Sequence, residues 1–217
     1  ERRKRMIELA NQYDVLIVED NPYGAVRFAG EELPPVKHFD TENRVIYIST
    51  FSKIFTPGLR LGWICADESF IEKYVAFKQT ADLHTDSLAQ RITAKYMEIY
   101  DMEEHIKKIK AVYKTKCTNM MRSIEEFFPK NLSYSKPEGG LFIWVELPEG
   151  IDSAHIFTEC LKNNVACVPG TPFFPNGTQK NTLRLNYSNM SNEKIIEGIK
   201  RMGEVLHREL EKELTLL

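Results

Sequence analysis

The chain has 217 residues, 42% hydrophobic and 28% charged, with a formal net charge of -2. That length and composition suit an ordinary globular protein of one large domain or two modest ones with a real core. The near-neutral balance gives no electrostatic ground for binding nucleic acid or an anionic membrane, no stretch approaches the roughly 18 apolar residues of a membrane span, and no secretory signal pattern is present, so a cytoplasmic protein is expected.

The chain opens without Met, inside what reads as an amphipathic helix with no capping residue ahead of it, and is expected to be a truncated piece of a longer protein. In that first helix, over residues 1–13, Met6, Leu9, Ala10 and Tyr13 fall at helical spacing, so the basic run Arg2 to Arg5 reads as its solvated face. Three short apolar runs follow, Val15 to Val18, Val45 to Ile48 and Leu61 to Ala66. Continuous rather than alternating apolarity predicts strands covered on both faces, hence a mainly parallel sheet flanked by helices. The first two runs end in Glu19-Asp20 and Ser49-Thr50, at the strand edge where such sheets collect ligands.

Residues 68–100 read as helical. From Met102 to Phe128, apolar residues at 106, 109, 113, 117, 120, 124 and 127 describe one long helix ended by Pro129, its stripe assigned to packing rather than chemistry. Beyond it, strands are predicted at Leu132 to Ser135, Gly140 to Leu147, Val165 to Val168 and Thr182 to Asn186, with helices at Ser153 to Asn163 and Ser191 to Leu210, the last capped by Ser191. The expected organisation is a larger α/β part over 1–102 and the long helix with a small α+β domain over 103–217. Cys65, Cys117, Cys160 and Cys167 sit in apolar periodic segments with no CxxC pair and no histidine at metal-ligand spacing; they read as reduced core thiols, and no metal is expected. The five histidines form no pair at a useful spacing and read as structural or surface.

The chemistry concentrates in residues 49–63, S-T-F-S-K-I-F-T-P-G-L-R-L-G-W. Directly after a buried strand this segment carries Thr50, Ser52, Lys53, a Pro57-Gly58 turn and Arg60. Hydroxyls and a guanidinium suit phosphate oxygens, while the lysine can reach a carbonyl. Singly these residues mean little, since a lone lysine is ordinarily a surface residue and a hydroxyl after a strand is ordinarily a cap. Together they resemble the lysine signature of fold-type I pyridoxal-phosphate (PLP) enzymes, in particular the class I and II aminotransferases, with Thr50 standing where Ser is more usual.

The resemblance implies a PLP-dependent transferase fold, here the carboxyl-terminal half only. It makes Lys53 the catalytic residue that bonds the cofactor, with Thr50, Ser52 and Arg60 on the phosphate. In Glu19-Asp20-Asn21-Pro22-Tyr23-Gly24, otherwise an acid and ordinary loop punctuation, it implies that Asp20 pairs with the protonated pyridine nitrogen and Tyr23 with the ring oxygen. Downstream, Arg184 between Leu183 and Leu185 is either an outward strand residue or, on the family pattern, the grip for the substrate α-carboxylate. Gly139 and Gly140 would let backbone approach the substrate and Phe173 and Phe174 could line its pocket, with turn and core duties as the competing reading.

The stretches PGLRLGW, GGLFIWVELPEG and VPGTPFFPNG look most like the 2-aminoadipate, kynurenine and aromatic aminotransferase group. This implies transfer of an amino group from a large L-amino acid to a 2-oxo acid, in a homodimer. Two alternatives stay open. One is an aminotransferase-like ligand-sensing domain of a transcription regulator, which alone would bring in nucleic acid. The other is a PLP-dependent C-S β-lyase, whose lysine segment usually lacks the PGLR turn.

Overall fold

The computed structural model describes residues 1–215. The chain divides into two compact units, Glu1–Lys110 and a second from Ala111 onward.

The first unit begins with α1 (Arg2–Gln12), which buries Ile7 and Ala10 and leaves its arginines outward or half covered. Three strands follow, β1 (Ile17–Asp20), β2 (Val45–Thr50) and β3 (Gly62–Cys65), in the order β1-β2-β3. The β1–β2 pair is parallel, with Ile17 opposite Val45 and Asp20 opposite Ile48; β2–β3 is antiparallel. The sheet is therefore α/β but mixed in this piece. Coverage of both faces holds at the centre, where Val45 and Ile46 are both buried. It fails on β1, an edge strand whose Val18 is 60% exposed. Ile7, Val36 and Val45 form a core cluster with Ile17 and Phe39 packed on it.

Residues 68–100 are helical as expected, in two pieces, α2 (Glu68–Ala81) and α3 (Ser87–Ile99). The break is local chemistry. Lys78 Nζ holds Asp82 at 2.9 Å, Leu83 turns into the left-handed region at φ 66°, and Asp86 caps the next helix by accepting from the Ala89 N–H at 2.6 Å. Cys65 also departs from expectation. It is exposed at the end of edge strand β3, whereas Cys117, Cys160 and Cys167 are buried thiols.

Helix α4 (Met102–Phe127) starts with Asp101 accepting from the Glu103 and Glu104 N–H groups. In the second unit, its residues Cys117, Met120 and Ile124 enter the core. Four strands, β4 (Ser133–Tyr134), β5 (Phe142–Glu146), β6 (Val168–Pro169) and β7 (Thr182–Asn186), pair antiparallel in the order β4-β5-β7-β6. Strand β6 is shorter than its apolar run suggests, because the chain leaves α5 (Ser153–Lys162) through Asn164 at φ 57° and reaches β7 only at Val168. The terminal helix α6 (Asn192–Thr215) begins after Ser191, whose Oγ accepts from the Lys194 N–H at 3.4 Å.

This sheet separates core from surface by the period of two. Ile143, Val145, Leu183 and Leu185 are buried to within 4% of completely, while Phe142, Trp144 and Arg184 between them are only partly covered. Among the described residues, no helix is long and apolar enough to cross a membrane and no group of three metal-ligating side chains is present.

Candidate active site

In the first unit the polar residues stand where the parallel strands end. Asp20 closes β1 and Thr50 closes β2, two neighbours leaving the sheet at one edge. The edge is tied across its loops, since the Asn21 N–H donates to the Ile48 carbonyl at 2.9 Å and Ser49 Oγ donates to the Asn21 carbonyl at 2.9 Å. Glu19, one residue earlier, is spent on structure. Its two oxygens accept from the N–H groups of Val36 and Lys37 at 2.8 and 2.9 Å, fixing the short helical turn Val36–Phe39. Asp20, on the alternate side of the pleat, is left exposed.

After β2 the backbone enters a short 3-10 turn, Phe51–Lys53. Thr50 caps it: its Oγ1 accepts from the Ser52 N–H at 3.0 Å, donates to the Leu61 carbonyl at 2.8 Å and lies 2.9 Å from Ser52 Oγ. Both predicted hydroxyls are thus brought together at the head of the turn that ends in Lys53. Lys53 is half-buried, and among the described residues no carboxylate pairs with its ammonium. A second 3-10 turn, Pro57–Leu59, delivers Arg60 in the left-handed conformation, φ 54° and ψ 38°. A non-glycine residue there stores strain on the order of 1 kcal/mol. Arg60 is exposed, and its guanidinium donates to the Pro57 carbonyl at 3.2 Å. Gly62 permits the return strand, because a Cβ there would meet the Ser49 carbonyl oxygen at 2.8 Å. Tyr23 is half-buried and begins the turn Gly24–Val26, its carbonyl accepting from the Val26 N–H at 2.9 Å.

In the second unit Arg184 occupies the middle of β7, opposite Trp144 of β5 and Val168 of β6. Its Nε is buried without a hydrogen-bond partner. Gly140 sits at φ 79°, with open space where a Cβ would stand. Phe173 and Phe174 follow β6, with ring centroids 5.7 and 6.0 Å from Trp144.

Sequence reasoning missed Tyr187. Fully buried, it donates its hydroxyl to the Gly140 carbonyl at 2.7 Å and so pins the glycine pair from beneath. Burial first, then the neighbouring Cys117 thiol, pushes its phenol well above the usual range, so it stays a neutral donor. Its place three residues after Arg184, in phase with the buried Leu183 and Leu185, was the available signal, but it pointed equally well to an ordinary core tyrosine.

Residues 1–202 match the aminotransferase class I and II family. The chain belongs to that family. It is 48% identical over 211 residues to aromatic-amino-acid aminotransferase 1 of Thermococcus litoralis, covering 97% of this chain and 51% of the relative. Its fold is similar to the crystal structure of Pyrococcus horikoshii kynurenine aminotransferase in complex with PMP, at a TM-score of 0.93 and 44% identity over 96% of this chain and 52% of that one. An uncharacterized HTH-type transcriptional regulator of Bacillus subtilis, YisV, is 30% identical over 208 residues, 96% of this chain and 43% of the relative. The chain spans about half the length of the curated relatives it matches. The family is one of fold-type I PLP-dependent aminotransferases, and the motif residues fit that cofactor: paired hydroxyls and an arginine for a phosphate, and at the strand edge a lysine and an aspartate that have no ion-pair partner among the described residues.

Proposed function

We propose that this chain carries the lysine half of a PLP-dependent aminotransferase that moves an amino group from a large L-amino acid, aromatic or 2-aminoadipate-like, to a 2-oxo acid. The observation that carries the reading is the joint placement of Asp20 and the Thr50-Ser52-Lys53 turn at the carboxyl ends of neighbouring parallel strands. PLP, when bound, supplies an electrophilic carbonyl and an electron-withdrawing ring.

The chain's own residues do the rest. Lys53 would hold the cofactor through its amine, and that amine, once released, would serve as general base and acid at the substrate Cα. Asp20 would pair with the protonated pyridine nitrogen and Tyr23 would hydrogen-bond the ring oxygen. Thr50, Ser52 and Arg60 would hold the phosphate. Arg184 binds the substrate α-carboxylate through two parallel N–H bonds, and Gly139 and Gly140 let backbone approach the substrate.

The intact enzyme is taken to be a cytoplasmic homodimer. The regulator reading is weaker because the regulator relative is less similar than the enzyme one, 30% against 48% identical. The β-lyase reading is weaker because Pro57-Gly58-Leu59-Arg60 is intact. The test is to mix the intact protein with PLP and a panel of amino acids and follow the cofactor's absorbance. Conversion with large amino acids, abolished in Lys53→Ala, is expected. An alanine variant that still transaminates overturns the assignment.

A further inference from the structure

Arg184 is mounted unusually for a strand arginine. Its Cζ lies 4.3 Å from the ring centroid of Phe142 and 4.6 Å from that of Phe173. Both distances fall inside the ~6 Å at which an aromatic ring attracts a cation. The two rings come from different elements. Phe142 opens β5, two residues before Trp144, which is the register partner of Arg184. Phe173 ends the short turn Thr171–Phe173 that follows β6, and its ring stands edge-on to Trp144, 5.7 Å away at 81°. Trp144 therefore props one of the two rings that hold the arginine beside it.

We infer that Phe142 and Phe173 are positioning residues that hold the Arg184 guanidinium by ring contact, so that its N–H edge is presented to the carboxylate of a substrate. The inference rests on the proposed role of Arg184. Its physical basis is that contact with a ring draws on the positive charge and the flat surface of a guanidinium without consuming an N–H donor. A carboxylate partner from the protein would occupy the very groups a substrate needs. An arginine free to sample its rotamers would lose that freedom on each binding event, whereas one already held does not. The buried, unpartnered Nε shows that part of the guanidinium is already out of water, which strengthens charge recognition there. Phe173 stays 48% exposed, so its contribution to folding is small, and the paired Phe142→Leu variant separates an effect on Arg184 from any contact Phe173 makes with substrate.

The experiment uses the intact enzyme loaded with PLP and compares Phe142→Leu, Phe173→Leu, the double variant, Phe173→Tyr and Arg184→Gln. Loss of the ring contacts should raise KM for the amino acid and for the 2-oxo acid together. The expected rise is roughly 5- to 30-fold in the double variant, with kcat within about twofold of wild type. Phe173→Tyr, which keeps the ring, should restore KM, and PLP affinity and the thermal midpoint of Phe173→Leu should match wild type. Wild-type KM in both leucine variants alongside a large rise in Arg184→Gln overturns the clamp and leaves the role of Arg184 standing. KM changes that track a loss of PLP affinity reduce the rings to structural filling and also overturn it. Unchanged KM in Arg184→Gln removes the reading of the site on which the inference depends.

Discussion

Glu209 on α6 meets Nε2 of His155 on α5 at 3.0 Å, across 54 residues of chain. The same carboxylate accepts from Lys212 Nζ at 2.8 Å and Arg208 Nε at 3.0 Å and is itself only 5% exposed. The Lys212 and His155 contacts outweigh the cost of burial and, with Arg208, hold its pKa down at about 2. A carboxylate depressed below its unfolded value of 4.5 stabilises the fold above that value. The stabilisation is lost as pH falls through roughly 5 to 2. The partner side chains are about half exposed, so the contribution is on the order of 1–2 kcal/mol. Thermal midpoints recorded from pH 6 to 2.5 should drop along this limb, and Glu209→Gln should start lower and drop less. Parallel curves for the two proteins would remove Glu209 from the account.

Arg60 combines a predicted phosphate contact with a left-handed backbone, φ 54°. Both Arg60→Ala and Arg60→Gly should weaken PLP binding by roughly 10- to 100-fold, the worth of a charge-assisted hydrogen bond. Their stabilities should differ in the unusual direction, with Gly as stable as Ala or better by up to about 1 kcal/mol, since only Gly relieves the strain. Urea midpoints of the two variants decide this. An alanine variant clearly more stable than the glycine one would show that the position is unstrained.

Tyr187→Phe removes the one side-chain bond to the Gly140 carbonyl among the described contacts and leaves that oxygen near a buried ring. The expected cost is about 1–3 kcal/mol. It should come with a raised KM for amino acids if Gly139 and Gly140 border the substrate. A destabilised variant with wild-type KM would confine Tyr187 to folding.

Gly170→Ala should destabilise the second unit by about 1–3 kcal/mol, because the new Cβ would lie 2.0 Å from Thr182 Oγ1 and 2.9 Å from the Thr182 carbonyl oxygen. Thr182→Ala in the same protein should recover only part of the loss, since the carbonyl cannot move out of the β7 ladder. Full recovery, read from chemical denaturation, would place the conflict at the hydroxyl alone.

Much of this was legible in the sequence, for identifiable reasons. Val45 to Ile48 announces a strand as a continuous apolar run bounded by polar residues, and Thr182 to Asn186 does so by the alternation of Leu183 and Leu185 with polar neighbours. The lysine segment announces chemistry because Thr50, Ser52, Lys53 and Arg60 crowd into eleven positions. What could not be read depended on contacts distant in sequence or on choices between equal local signals. Glu19 and Asp20 are adjacent acids, and only the N–H groups of Val36 and Lys37 reveal which one is structural. The helical pattern runs through residues 82–86, and Asp86 becomes a cap only because Leu83 turns left-handed. Cys65 lies in an apolar run like the other three thiols, and its exposure follows from strand order rather than from composition.

The alternation along β7 has a consequence for how the protein can fail. Leu183 and Leu185 anchor the core while Arg184 faces the other way, so a one-residue slip of this strand would bury the arginine and expose both leucines together. No partly correct register keeps the core and misplaces only the arginine. In this strand, damage by insertion or deletion is all or none, and any protein that folds through it arrives with its arginine already turned away from the core.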